Sequence, residues 1–338
     1  MLLPDLYEEE TSISIQDAEL VHRMLIYPNI WGLNEYYKLL SYQDDKPCVV
    51  PAHDVFYAYA DPNYFWETPE ARFNKNYRRI IKRMDGEYRS RWLEAIPKRY
   101  SERNFNNIPI SSGDECVIME CCALLSAMFE EVRLEYIPLD SGKAFSGLGR
   151  LISKINGARG LAAIIARKDC EIRRQLAGMA GERFILECTD CGLKTCWIGG
   201  SYTPAEVKRH ISLTHSEELL AVCAIGYSDR PAPERRRLKL EQLCSASLSE
   251  LPDFAVQAME CARLAPSSLN RQPWKFEAGR DFLEIRLDSK GLFARKMQLI
   301  DLGIAASHAD IYLNSVLNET EMKIYEDRVV FWFEEAEA

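Results

Sequence analysis

The chain has 338 residues, a net charge of −9, and 47% hydrophobic against 28% charged residues. That balance is ordinary for a globular protein and excludes disorder and fibre, while the acidic total argues against nucleic acid as a partner, since phosphates need a basic surface. No run reaches the roughly 18 apolar residues of a membrane span, MLLPDLYEEE has no signal-peptide pattern, and eleven cysteines then read as reduced, largely packed thiols of a cytoplasmic protein.

Residues 1–85 are dominated by aromatic and acidic side chains, among them Tyr36, Tyr37, Phe56, Tyr57, Tyr59, Tyr64, Phe65 and Trp66. AELVHRMLIY and WGLNEYYKLL have helical spacing, and two prolines in DKPCVVPAHD break it. The expectation is a helical extension packed on the main body.

A basic helix, YRSRWLEAIPKRY, opens a first half over 86–250. MECCALLSAMF, with Cys121 and Cys122, reads as a core helix. RLEYIPLD (133–140) and ARGLAAIIARKD (158–169) read as buried strands. GERFILECTDCGL has helical spacing with Phe184, Cys188 and Cys191 on one stripe, and KTCWIGG reads as a strand entering a turn. Thr203 and Pro204 suit a helix cap and first position, and ELLAVCAIGYSD (218–229) closes this half as a strand. RPAPERRRLKLEQLCSASLSELPD reads as a connector.

The second half, 251–338, starts with an amphipathic helix, DFAVQAMECARLA, that stops at Pro266. WKFEAGRDFLEIRLD predicts a hairpin turning at Gly279. DLGIAASHADIYLNSVL predicts a helix with small residues on one side, and KIYEDRVVFWFEE two short strands or one bent strand. The order of elements suggests that GERFILECTDCGLKTCWIGG and GIAASHADIYLNSVL are one element used twice.

Two constellations carry chemistry. Arg99, Ser101 and Arg103 alternate, so in an extended chain two guanidiniums and a hydroxyl can converge on one anion such as phosphate. The alternative is a solvated basic turn. Ala265-Pro266-Ser267-Ser268-Leu269-Asn270-Arg271-Gln272-Pro273-Trp274 packs hydroxyls and amides between two prolines, a stiff display of donors and acceptors for a polar ligand. Its alternative is a capped loop with Trp274 filling the core.

Together these segments resemble the nitroreductase family over roughly residues 88–330. IPKRYSERNF looks like its phosphate-binding motif, APSSLNRQPWKF is similar to its Pro-Ser-Ser signature, and CGLKTCWIGG resembles the segment after its central helix. The resemblance implies an α+β nitroreductase-like fold that holds FMN and passes two electrons from NADH or NADPH to a nitroaromatic, a quinone or a similar small-molecule acceptor. In the family two identical subunits share each flavin. Here the signature follows the arginine motif by more than 160 positions (Ser101 to Ser267), which looks like a variant with two degenerate halves in one chain. A monomer with an internal pseudo-dimer and one FMN per chain is then expected, with a homodimer as the alternative.

Carried over residue by residue, Arg99 and Ser101 would hold the phosphate or ribityl chain, and Arg103 the pyrimidine edge. Ser267, Ser268 and Asn270 would reach the cofactor from the other half, with Gln272 and Trp274 supporting their loop. Arg235 and Arg237 match a late basic pair near the phosphate, and Thr195, Cys196 and Trp197 would pass close to the ring through backbone groups. No side-chain acid or base is required, so no catalytic dyad is named. Rivals are reductive dehalogenation on the same scaffold and a flavin-binding or partner-binding protein without turnover.

Other signals are set aside. Cys188, Cys191 and Cys196 lack a fourth metal ligand nearby. The five histidines have no ligand spacing; His308 could face the flavin, but a packed or exposed ring is the plainer reading. Gly147-Leu148-Gly149 is too little for a nucleotide fingerprint.

Overall fold

In a computed structural model of the protein, the described residues are 42–43, 46–47, 86–139, 155–200, 202–288, 295–317 and 320–333. Of the expected helical extension they include only a two-residue antiparallel ladder, β1 (Tyr42–Gln43) and β2 (Lys46–Pro47). AELVHRMLIY, WGLNEYYKLL and Gly147–Gly149 lie outside them.

The first half begins with α1 (Gly86–Ala95), which ends two residues before Pro97 because a residue preceding proline avoids helical geometry. Next, α2 (Ser112–Met128) starts where the Ser111 hydroxyl accepts from Asp114 N at 3.1 Å, with Asp114 and Glu115 in the positive first turn. The hairpin β3 (Val132–Pro138) and β4 (Gly160–Arg167) is followed by α3 (Arg173–Asp190), β5 (Lys194–Ile198), the single turn α4 (Pro204–Val207) and β6 (Glu217–Gly226). Pro204 opens α4 as expected, but the Thr203 side chain makes no capping bond. The helix foreseen from Gly181 begins eight residues earlier, at Arg173.

The connector is mostly irregular, with one short helix, α5 (Leu240–Leu243), and a 3-10 turn at Leu248–Glu250. The second half contains α6 (Asp253–Arg263), the hairpin β7 (Trp274–Ala278) and β8 (Phe282–Leu287) around Gly279, α7 (Arg295–Val316), and the hairpin β9 (Thr320–Ile324) and β10 (Arg328–Phe333). KIYEDRVVFWFEE is therefore two strands.

Each half has the sequence helix, hairpin, helix, hairpin, and each builds a four-stranded antiparallel sheet with one order. The sheets run β3-β4-β6-β5 and β7-β8-β10-β9, so both place first, second, fourth and third strand side by side. The hairpin strands pair directly, and the second strand of each hairpin meets in the middle.

Between the sheets α3 and α7 cross at two glycines. A Cβ on Gly178 would lie 2.2 Å from Ile300 O, and a Cβ on Gly303 would lie 2.0 Å from Gln175 O. Each glycine meets the carbonyl three residues before the other, the reciprocal pattern of a two-fold contact. The crossing thus matches Gly178, not Gly181, with Gly303. Both helices are buried on nearly every side, α3 from Arg174 to Cys188 and α7 from Ile300 to Ile311. The main core surrounds them and spans both halves. A smaller core covers the far face of the first sheet, where Leu161, Ala163, Ile165, Val222 and Ala224 pack with Phe105 and Ile198. Alternating residues of β4 therefore serve two cores.

Candidate functional site

The segment after α1 is held extended along the edge of β5. Ser101 bridges Thr195 in parallel and Glu102 N donates to Thr195 O at 2.9 Å. The Glu102 carboxylate accepts from the backbone N–H of Arg103 and of Asn104, both at 2.8 Å, and from the Ser228 hydroxyl at 2.8 Å. Burial acts to raise its pKa, but these hydrogen bonds outweigh it and hold the carboxyl below the usual range. The backbone from Arg99 to Asn104 is therefore pinned before any ligand arrives.

Arg99 is no solvated turn residue. It is 2% exposed, its Nε stands 3.5 Å from Glu182 Oε1, and its Nη2 donates to the Ser101 hydroxyl at 3.4 Å. Arg103, four residues on, is exposed. Glu182 comes from the middle of α3 and is wholly buried. Its other partners are Trp197 Nε1 at 2.7 Å and His308 Nε2 at 3.0 Å. Burial alone would push its pKa up; Arg99, His308 and Trp197 together bring it below the ordinary carboxylate value. His308 Nδ1 lies 2.9 Å from Cys261 O, so this histidine is packed between α3 and α6.

The second constellation sits at the end of α6. Leu269, Asn270 and Gln272 have φ of 55°, 56° and 50°, left-handed values that cost non-glycine residues about 1–3 kcal/mol each. Hydrogen bonds impose them. Gln272 N donates to the Ser267 hydroxyl at 2.8 Å, Gln272 Oε1 accepts from Leu238 N at 2.8 Å, and Gln272 Nε2 donates to Asn270 O at 3.2 Å. Ser268 N and its hydroxyl both donate to Asp301 Oδ1, at 2.9 and 3.3 Å. Buried Gln272 and Trp274 thus support the loop, while Ser267 and Ser268 are half-buried and Asn270 is exposed.

Arg235 and Arg237 tie the two constellations together. Arg235 donates to Ile96 O at 3.2 Å and Pro97 O at 2.6 Å, just past the end of α1. Arg237 donates to Leu264 O at the end of α6 and to Asn270 Oδ1 at 2.9 Å. Both cations sit at negative helix ends. Burial, then the charge of Arg99, lowers the pKa of Arg235. Burial, then Arg99 and Arg235, pushes Arg237 down to about 10. Three neighbouring guanidiniums, with Glu182 as the counter-charge at Arg99, make a patch of positive potential suited to a phosphate. The Thr195 hydroxyl beside them is buried without a hydrogen-bond partner among the described residues.

The Cys196 thiol instead belongs to the smaller core, where it donates to Trp197 O at 3.6 Å, leaving only its backbone for a ligand. Trp197 faces Glu182. Among the described residues no cluster of three or more His, Cys, Asp or Glu could hold a metal, and no helix is long and apolar enough to cross a membrane.

Residues 92–313 match the family model described as "Putative TM nitroreductase". The chain belongs to this nitroreductase family. A solved putative nitroreductase from Thermotoga maritima aligns at 23% identity and a TM-score of 0.50, covering 71% of this chain and 93% of its own. A putative nitroreductase in complex with FMN from Desulfovibrio desulfuricans aligns at 20% identity and a TM-score of 0.38, over 45% of this chain and 94% of its own. No curated protein matches.

Within this nitroreductase fold, several buried acids escaped the sequence reading, among them Glu182, Asp301 and Asp310. Asp310 pairs with Arg183 between α7 and α3, and Arg183 also donates to Ser307 Oγ at 3.1 Å and lies 5.2 Å from the Phe129 ring centroid. The available signal was a charge inside an apolar or small-residue run, such as LGIAASHADIYL, where a solvated face has no room.

Proposed function

We propose that the chain is an FMN-dependent oxidoreductase that takes two electrons from NADH or NADPH and delivers them to a small-molecule acceptor such as a nitroaromatic or quinone. The observation that supports this best is the convergence of Arg99, Arg235 and Arg237 against the Ser267–Gln272 loop, a set of donors that fits a phosphorylated, hydroxyl-rich cofactor. Bound FMN supplies the hydride acceptance and two-electron donation.

The residues provide grip and charge. Arg99, oriented by Glu182, and Arg237 neutralise the phosphate, and Ser101 adds a short hydrogen bond. Arg103 lies further along the pinned segment, where a cation stabilises negative charge on the pyrimidine edge. Ser267, Ser268 and Asn270 contact the cofactor from the second sheet's side. Arg235 holds the connector against α1, and the backbone of Thr195–Trp197 borders the ring.

The two sheets stand in for the two subunits of a dimer, and one FMN per chain follows from an asymmetry between them. The α6–β7 connection runs from Leu264 to Pro273 and carries the polar loop, whereas the α2–β3 connection is Phe129–Glu131, too short for one. A monomer with a single complete site is the arrangement proposed. The free thiols of the described residues suit a reducing compartment such as the cytoplasm.

The test is the absorbance spectrum of the purified protein, followed by NADH or NADPH without oxygen. A flavin spectrum that bleaches supports the reading. One that persists indicates a flavin-binding protein without this turnover, and a colourless protein that cannot be reconstituted with FMN rejects the cofactor.

A further inference from the structure

Among the described residues, Asp301 is the buried acid of the site that no cation neutralises. It lies in the first turns of α7, 3% exposed, with Oδ1 accepting from both the backbone N–H and the hydroxyl of Ser268. Oδ2 is buried with no hydrogen-bond partner among the described residues. α7 packs on α1, α3, α6, β8 and β10. Among the described residues, no charged side chain from these elements shifts Asp301; only burial and Ser268 do. The loop it holds is the one whose Leu269, Asn270 and Gln272 are kept at positive φ, so releasing Ser268 frees a strained segment.

We propose that Asp301 is the positioning residue of the Pro-Ser-Ser loop, and that the protein grips FMN firmly only while this carboxylate is ionised. The inference rests on the FMN reading above. A carboxylate makes two charge-assisted bonds to Ser268 and so fixes the loop, whereas the neutral acid accepts more weakly. Burial pushes the carboxyl up to about 7, with the Ser268 bonds opposing, so the change of state falls near neutral pH. Its sign is definite. Ionised Asp301 costs fold stability, which is greatest at low pH and declines as pH rises towards about 7, while the grip on the loop moves the opposite way.

The experiment titrates FMN into flavin-free protein, read by flavin fluorescence, at about pH 6 and about pH 8.5. Wild-type affinity should be about tenfold weaker at the lower pH, since roughly a tenth of the protein is then ionised at Asp301. FMN's own phosphate gains a proton near pH 6, so the titration is repeated with riboflavin, and the fall should persist. Asp301→Asn should bind FMN more weakly than the wild type does at about pH 6, with the Asp301 part of the pH response gone. Its melting temperature should exceed the wild type's by more at about pH 8.5 than at about pH 5, a reading of folding independent of flavin.

An Asp301→Asn variant that keeps the full wild-type pH response overturns the proposal. So does a riboflavin affinity that does not change with pH. A wild type that binds no flavin at any pH removes the FMN reading itself, and the inference with it, whereas pH-independent binding removes only the inference.

Discussion

The two halves share a topology and differ in what the crossing helices carry. On one side of the α3–α7 crossing, Glu182 meets His308, Trp197 and Arg99; on the other, Ser307 meets Arg183. Matching Gly178 with Gly303 makes Glu182 the counterpart of Ser307, and Arg183 that of His308. So one reciprocal contact joins a carboxylate to a histidine and the buried Arg99, while its counterpart joins a hydroxyl to an arginine whose charge is answered by Asp310. The loops diverge in the same sense, polar and strained after α6 and only three residues long after α2. A shared topology can thus keep its packing at the axis while the polar groups on its two sides diverge.

The largest effect should come from removing the axial charge. Glu182→Ala leaves Arg99 buried without its counter-ion and should cost about 3–5 kcal/mol in chemical denaturation. Ser307→Ala, at the matching position, should cost only about 1 kcal/mol. Similar losses in both would dissolve the asymmetry. Next, Gly303→Ala puts a methyl against Gln175 O and should cost about 3 kcal/mol by forcing the helices apart. Gly178→Ala should cost about the same, and a large difference in melting temperature between the two would break the reciprocal crossing.

Arg99→Ala removes a charge-assisted phosphate contact and should weaken FMN binding by about 1.5–3 kcal/mol, measured by flavin retention on gel filtration. Flavin content equal to wild type would place the phosphate elsewhere. Stoichiometry sharpens the same point: about one FMN per chain is expected from absorbance against protein concentration, and two would mean that the first half kept a site after all. The smallest effect belongs to Lys98→Ala. Its 3.2 Å pair with Glu94 is exposed, so melting should move by less than about 0.5 kcal/mol.

How much was legible varied with environment. Strands β3, β4 and β6 were read to within three residues at either end, because continuous apolar runs bounded by turn residues are local signals. The hairpin at Gly279 and the stop of α6 ahead of Pro266 were readable for the same reason. The start of α3 was not. A helix buried on all faces has no polar stripe, so periodicity does not show where it begins. The Arg99 cluster was ambiguous, because Arg99-x-Ser101-x-Arg103 looks alike on a wet turn and in a core. Only packing against Glu182, 83 positions away, separates the cases.

The sequence by itself determined the mixed α and β character, the two chemistry-bearing segments and their family, since periodicity, proline and glycine punctuation, and short motifs are properties of neighbours in the chain. Tertiary structure alone decided which buried acids matter and which half each serves. Glu182, Asp301 and Asp310 act on partners from other elements, and the cost of burying a charge is set by what stands opposite it in space. The shared sheet order of the two halves was hidden likewise, because packing at a two-fold crossing demands small residues at two points and leaves the rest of the sequence free to diverge.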